Sequence, residues 1–202
     1  MKPVFNLEPK YRITMLTREE WTRGPVTPPA VQGLVWFTDG SRTAEGSWAE
    51  VYGQSAGRRL SISLEKHATV FQAEVYAILA CVHEIETQDQ PEKYVSICSD
   101  SQVALKELQA VKTTSLVRQC QKALNDISTR HAMGLYWVPG RARVRGNEIS
   151  NKLTRDGFIQ QFVGPEPFLA VSRKNIRRKM KSWFDKQHLV LWHGPCSTHR
   201  QA

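Results

Sequence analysis

The order of strand and helix signals between two proline–glycine breaks constrains this chain most. Gly24-Pro25-Val26-Thr27-Pro28-Pro29 closes a polar leader and Gly164-Pro165-Glu166-Pro167 opens a tail. Clusters of this kind mark linkers rather than element interiors. Between them, Leu34–Thr38 is apolar and β-prone and stops at Asp39-Gly40, so it predicts a buried strand. Ser47–Tyr52 and Leu60–Leu64 follow, with Gly53 and Gly57 as turn residues, which predicts an antiparallel meander. Thr69-x-x-Gln72 has the form of a capping box, and Phe71, Val75, Ile78, Leu79, Val82 and Ile85 then form one helical face. Tyr94–Cys98 is a fourth strand. Ser99-x-x-Gln102 is a second capping-box pattern, opening a helix through about Gln109. Ser115–Arg130 is a further helix, Leu135–Val138 a fifth strand ended by Pro139-Gly140, and Asn147–Arg155 a short helix stopped by Gly157. The order β-β-β-α-β-α-α-β-α predicts an α/β domain, a mixed sheet with helices packed on it.

This reading divides the 202 residues into a leader or linker (1–30), a folded domain (31–163) and a basic tail (164–202). The formal charge of +9 follows the same division. Residues 1–30 carry five bases and three acids, residues 31–170 carry 15 of each, and residues 171–202 carry eight bases and one acid. The basic character therefore belongs mostly to the tail, where it suits a polyanionic partner, either nucleic acid or an anionic membrane surface.

Other classes are excluded by pattern. The longest apolar run, Val75–Val82, is too short to span a bilayer, and no apolar stretch follows Met1. The expectation is an intracellular protein, cytoplasmic or nuclear and not secreted. Cys81, Cys98, Cys120 and Cys196 make no C-x-x-C pair and read as free thiols of a reducing compartment.

Three acids fall where α/β sheets gather ligands. Asp39 ends the first strand, Glu74 lies near the start of the long helix, and Asp100 sits where the fourth strand becomes a helix. Each lies beside apolar sequence, where a charge is costly unless compensated. A divalent cation would compensate, and two of them about 3.5–4 Å apart can clamp a phosphodiester. Equally, each acid taken singly is an ordinary turn residue, helix N-terminal acid or cap.

The flanking residues separate these readings. Thr38-Asp39-Gly40-Ser41, Gln72-Ala73-Glu74, Ser99-Asp100-Ser101, Trp137-Val138-Pro139-Gly140 and Gly146-Asn147-Glu148, in that order, resemble the ribonuclease H type 1 domain. The version they resemble most is that of the polyprotein of non-LTR (jockey-like) retrotransposons, over about residues 34–158. The resemblance implies a five-stranded mixed sheet, the first three strands antiparallel, with flanking helices. It implies Mg²⁺-dependent endonucleolytic hydrolysis of the RNA strand of RNA–DNA hybrids, leaving 5′-phosphate and 3′-hydroxyl ends. RNA would be distinguished through its 2′-hydroxyls. By motif position Asp39, Glu74 and Asp100 take the roles of metal-binding carboxylates for two Mg²⁺ ions, for which Mn²⁺ can substitute. Gln72 and Ser101 are weak candidates for contacts to the hybrid. The reverse transcriptase of the same element is an implied partner.

The pattern breaks in one segment. The family's fourth acid is expected at Asn151 and its mobile-loop His at Arg141. Asn offers a carbonyl oxygen but no charge, so a second Mg²⁺ is expected to bind more weakly. Arg cannot shuttle a proton near neutral pH, though it can hold a phosphate. Glu148, one helical turn from Asn151, is a minor candidate replacement. The cluster of departures reads as a truncated or decaying element copy, and it keeps open a catalytically inactive hybrid-binding module. A transposase or integrase fits Gln72-Ala73-Glu74 less well.

In the tail, Ile176, Met180, Trp183 and Phe184 share one helical face among Arg173, Lys174, Arg177, Arg178, Lys179 and Lys181. This is a basic amphipathic helix, suited to docking, to a membrane surface or to nucleic acid. The short connection between Gln109 and Ser115 leaves no room for a basic protrusion, a grip the tail could supply instead. His193-x-x-Cys196-x-x-His199 has compact spacing for zinc but no second cluster, and reads as plain tail.

Overall fold

The structure, a computed structural model, describes residues 9–22, 28, 30–44, 46–64, 66–88, 93–140, 144–152, 160–161, 169, 171 and 173–192. Its elements are β1 (Arg12–Thr14), α1 (Arg18–Thr22), β2 (Leu34–Arg42), β3 (Ser47–Gly53), β4 (Arg58–Leu64), α2 (Val70–Thr87), β5 (Tyr94–Ser99), α3 (Gln102–Glu107), α4 (Ser115–Ile127), β6 (Ala132–Trp137), α5 (Arg145–Lys152), β7 (Gln160–Gln161) and α6 (Arg173–Trp192). The sheet order is β1-β6-β5-β2-β3-β4-β7. β2, β3 and β4 form the expected antiparallel meander. β5 runs parallel to β2, and β6 parallel to β5. The five expected strands form the centre of the sheet, and the short β1 and β7 extend it at opposite edges.

β2 sits centrally because its sequence serves both faces. Leu34 and Trp36 enter one core cluster, Val35 and Phe37 the other. The first face carries α2, whose capping box forms as expected: Gln72 N donates to Thr69 Oγ1 at 3.1 Å and Thr69 N donates to Gln72 Oε1 at 3.0 Å. Burial on α2 is wider than the single stripe expected, because α2 lies between the sheet and α4. Ala73, Ala77 and Cys81 are buried along with Val75, Ile78, Leu79, Val82 and Ile85, whereas Phe71 is only half-buried. The second face carries α5. Gly146 permits that contact, since any Cβ there would strike the Phe37 ring.

Three expectations need correction. β2 does not stop at Asp39-Gly40 but runs on to Arg42, because Asp39, Gly40, Ser41 and Arg42 continue the pairing with Glu50, Ala49, Trp48 and Ser47 of β3. The helix after β5 is capped by Ser101, whose Oγ accepts from Ala104 N at 3.3 Å. Ser99 cannot serve, because it pairs with Thr38 and Trp137 as the last residue of its strand. The stretch 1–30 is also more than a leader. β1 adds a parallel strand to β6, Tyr11 Oη donates to the Leu108 carbonyl at 2.8 Å, and Trp21 Nε1 donates to the Trp137 carbonyl at 2.9 Å. Tyr11, Leu16 and Trp21 are buried. Three residues are too short to register as a strand alone; the open edge of β6 selects them.

The chain divides into two compact units, 1–169 and 170–202. In the second, α6 forms as expected, with Ile176, Met180, Trp183 and Phe184 exposed and the Trp183 and Phe184 rings edge to face at 5.1 Å. Cys81, Cys98 and Cys120 are free and buried. Cys196, His193 and His199 lie outside the described residues.

Trp21→Ala is expected to lower the unfolding free energy by about 3 kcal/mol, read from urea denaturation. An unchanged midpoint would show that the segment before residue 31 does not belong to the folded unit.

Candidate active site

Three elements deliver the three acids. Asp39 lies late in β2, Glu74 in the second turn of α2, and Asp100 in the step from β5 to α3. One carboxylate oxygen from each lies within 4.8 Å of the others. Asp39 and Glu74 are buried and Asp100 is half-buried. Gly40 makes the convergence possible, because a Cβ at that position would clash with the Glu74 backbone nitrogen. The same glycine donates its N–H to Asp39 Oδ1 at 2.9 Å.

Asp100 is held by several groups. Trp137 Nε1 donates to its carbonyl at 3.0 Å, and the Asn147 side chain hydrogen-bonds its carboxylate. The turn at Gly140 packs so tightly that an added Cβ would lie 2.6 Å from Asp100 Oδ2. Asn147 is fully buried on α5. Sequence reading placed it inside a motif without giving it a role.

Like charges share a poorly solvated space, and the pKa values respond. Burial, reinforced by the charge of Asp100, raises Asp39 to about 6. Burial, then the charges of Asp39 and Asp100, raises Glu74 to about 9. Burial also raises Asp100, opposed by the Asn147 hydrogen bond. Glu74 Oε2 is buried with no hydrogen-bond partner. Acids crowded in this way, with a buried and unsatisfied oxygen, fit a hard divalent cation.

Residues 31–159 match the family model of RNase H. The chain belongs to the ribonuclease H family. Members of this family hydrolyse the RNA strand of RNA–DNA hybrids and generally use a divalent metal. The ribonuclease H fold accounts for the mixed sheet, the antiparallel β2-β3-β4 and the flanking helices. No curated protein matches the chain significantly. Among the described residues no helix is long and apolar enough to cross a membrane.

The remaining candidates are distributed as follows. Gln72 is buried and its Oε1 accepts from the Thr69 N–H and hydroxyl, so that oxygen serves the cap of α2. Ser101 is half-buried and caps α3. Asn151 lies on α5, its side chain outside the described residues, and Arg141 lies outside them altogether. Glu148 is exposed on α5 and stands outside the acidic cluster. Arg177, Arg178 and Lys181 are exposed on α6, which also carries Arg173 and Lys174. Sequence reading missed Glu50, fully buried on β3 and electrostatically coupled to Glu74. Its one signal was an acid inside the strand run Ser47–Tyr52.

Because folding raises these carboxylate pKa values, the unfolded chain releases their protons at lower pH. The associated stability is complete below the ordinary carboxylate range and is lost as pH rises through about 6 for Asp39 and toward about 9 for Glu74. The melting temperature in EDTA is therefore expected to fall between pH 5 and pH 9, and Mg²⁺ to restore it most at the alkaline end. A flat profile insensitive to Mg²⁺ would contradict this account of the cluster.

Proposed function

We propose that this chain is a divalent-metal-dependent endonuclease that cuts the RNA strand of RNA–DNA hybrids, with Asp39, Glu74 and Asp100 as its metal-binding carboxylates. The observation that carries this reading is the convergence of these three acids, from three separate elements, within 4.8 Å. Two Mg²⁺ ions are expected, with Mn²⁺ as a substitute. Bound metal supplies positive charge for the attacking water and the leaving oxygen of the phosphodiester. The protein's own contribution is positioning. Gly40 admits the α2 backbone beside Asp39, while Asn147 and Trp137 hold Asp100 by its carboxylate and its carbonyl.

A second reading, an inactive hybrid-binding module, draws on Asn151 and Arg141, where the family pattern has an acid and a His. The motif order also supports an origin in a non-LTR retrotransposon polyprotein, as a truncated or decaying copy. A reverse transcriptase of the same element would be its partner and an intracellular compartment, cytoplasmic or nuclear, its setting. The domain limits fit the same reading, with the nuclease over about 31–163, supported upstream by β1 and α1, and the basic tail beyond. Gln72, Ser101 and Arg141 remain candidate contacts to the hybrid or its phosphates.

Cleavage of an end-labelled hybrid in Mg²⁺ and in Mn²⁺ tests the main reading. Wild type is expected to cut, and Asp39→Asn to lose at least 100-fold in rate, about the loss for one essential charge-stabilising group. Inactive wild type with active Asn151→Asp would favour the binding module; inertness of all variants in both metals would overturn the ribonuclease assignment.

The basic face of α6, with Arg173, Lys174, Arg177, Arg178 and Lys181, is proposed to hold the polyanion. Deleting residues 171–202 is expected to flatten the dependence of hybrid affinity on salt, since each lost phosphate contact reduces the slope by about one. An unchanged slope would remove the tail from the interface.

A further inference from the structure

Glu50 has no place in the sequence pattern that defines the site, yet the fold brings it there. On β3 it pairs with Asp39 of β2 on one side and with Ser61 of β4 on the other. Residues directly opposite in antiparallel strands point to the same face, with Cβ atoms about 5 Å apart. Asp39, Glu50 and Ser61 therefore form one polar row across three strands. Ala49 and Val51, the neighbours of Glu50, enter the core on the α2 side, so Glu50 faces the other side. That side is the one where Phe37 and Tyr52 stack at 6.4 Å and where α5 lies over Phe37 through Gly146. Glu50 is wholly buried there.

A carboxylate at this depth is costly, and more so beside other acids. Glu50 lies beside Asp39 across the strand pair and within electrostatic reach of Glu74, and it stands outside the group of Asp39, Glu74 and Asp100 whose carboxylate oxygens converge within 4.8 Å. Buried polar atoms without a hydrogen bond occur in the cluster and in the residues that border it. Glu74 Oε2, Ser61 Oγ and Asn147 Oδ1 are all buried and make no hydrogen bond. The unpartnered oxygen of Glu74, inside the cluster, suits a hydrated divalent ion, which keeps several waters and needs few protein ligands. The helix covering this face, α5, also carries Asn151, where the resemblance led us to expect an acid.

We propose that Glu50 supplies the fourth negative charge of the metal centre, from β3 instead of α5, in place of the acid absent at position 151. The inference rests on the ribonuclease H reading of the site and deepens it. The site then counts four carboxylates, one of them on β3 beneath the same helix that carries Asn151. A second divalent ion then retains the charge that Asn151 alone would deny it.

The test is calorimetric titration of Mn²⁺ into the full chain, independent of cleavage. Glu50→Gln is expected to weaken the looser divalent site at least tenfold, and Asn151→Asp added to it to recover most of that loss. In the wild-type background Asn151→Asp is expected to change Mn²⁺ affinity less than threefold, because the fourth charge is already present. Glu50→Gln titrating like wild type, while Asp39→Asn loses binding, would overturn the role of Glu50 and leave the ribonuclease reading standing. Binding that also survives Asp39→Asn would overturn both. Should Glu50→Gln fail to fold in EDTA, Asn151→Asp alone decides: a tenfold gain in affinity would show the fourth charge to be missing and refute the proposal.

Discussion

The contact between the second turn of α2 and Gly40 of β2 underlies the rest of the site. The backbone of Glu74 lies too close to residue 40 for any side chain there, so helix and strand meet without an intervening Cβ. That approach puts a helical carboxylate beside a strand carboxylate in a poorly solvated space. It survives because both partners are anchored away from the acids. α2 is capped at Thr69 and buried between the sheet and α4, and β2 is fixed by cores on both of its faces. Burial, reinforced by like-charge repulsion, raises the pKa values of the acids, and an oxygen of Glu74 is left without a partner. A cation relieves both at once.

The third acid depends on different forces. Asp100 stands on an irregular step between strand and helix, and its position comes from hydrogen bonds at both its carbonyl and its carboxylate. Trp137 and Asn147 supply them, from β6 and α5. The Trp137 carbonyl in turn accepts from Trp21. A segment upstream of the family match is thus joined to the site through two indole hydrogen bonds, and the edge strand β1 secures the same corner of the sheet.

Much of the fold was legible because its signals were local. The capping box at Thr69 involves groups three residues apart, and the apolar run of β2 needs no distant partner to be recognised as buried. Asp39, Glu74 and Asp100 were each found near the strand and helix ends read from the sequence, although β2 continues past Asp39 to Arg42. Where local and distant interactions competed, sequence reading went astray. Ser99 has the spacing of a cap, but pairing with Thr38 and Trp137 holds it in the sheet and passes the cap to Ser101. Arg12–Thr14 becomes a strand only because β6 offers an unpaired edge.

By itself the sequence determined the succession of strands and helices, the neutral central block, the basic tail and the three acids. All of these rest on hydrophobic period, capping chemistry and residue order, properties carried within short windows of chain. Only the tertiary structure decided that Asn147 would hold Asp100, that the upstream residues would join the sheet, and that Glu50 would lie buried across from Asp39. These depend on strand register and on which face a helix covers. Register is a relation between distant segments, and a single residue of slip would turn Glu50 to the opposite face of the sheet.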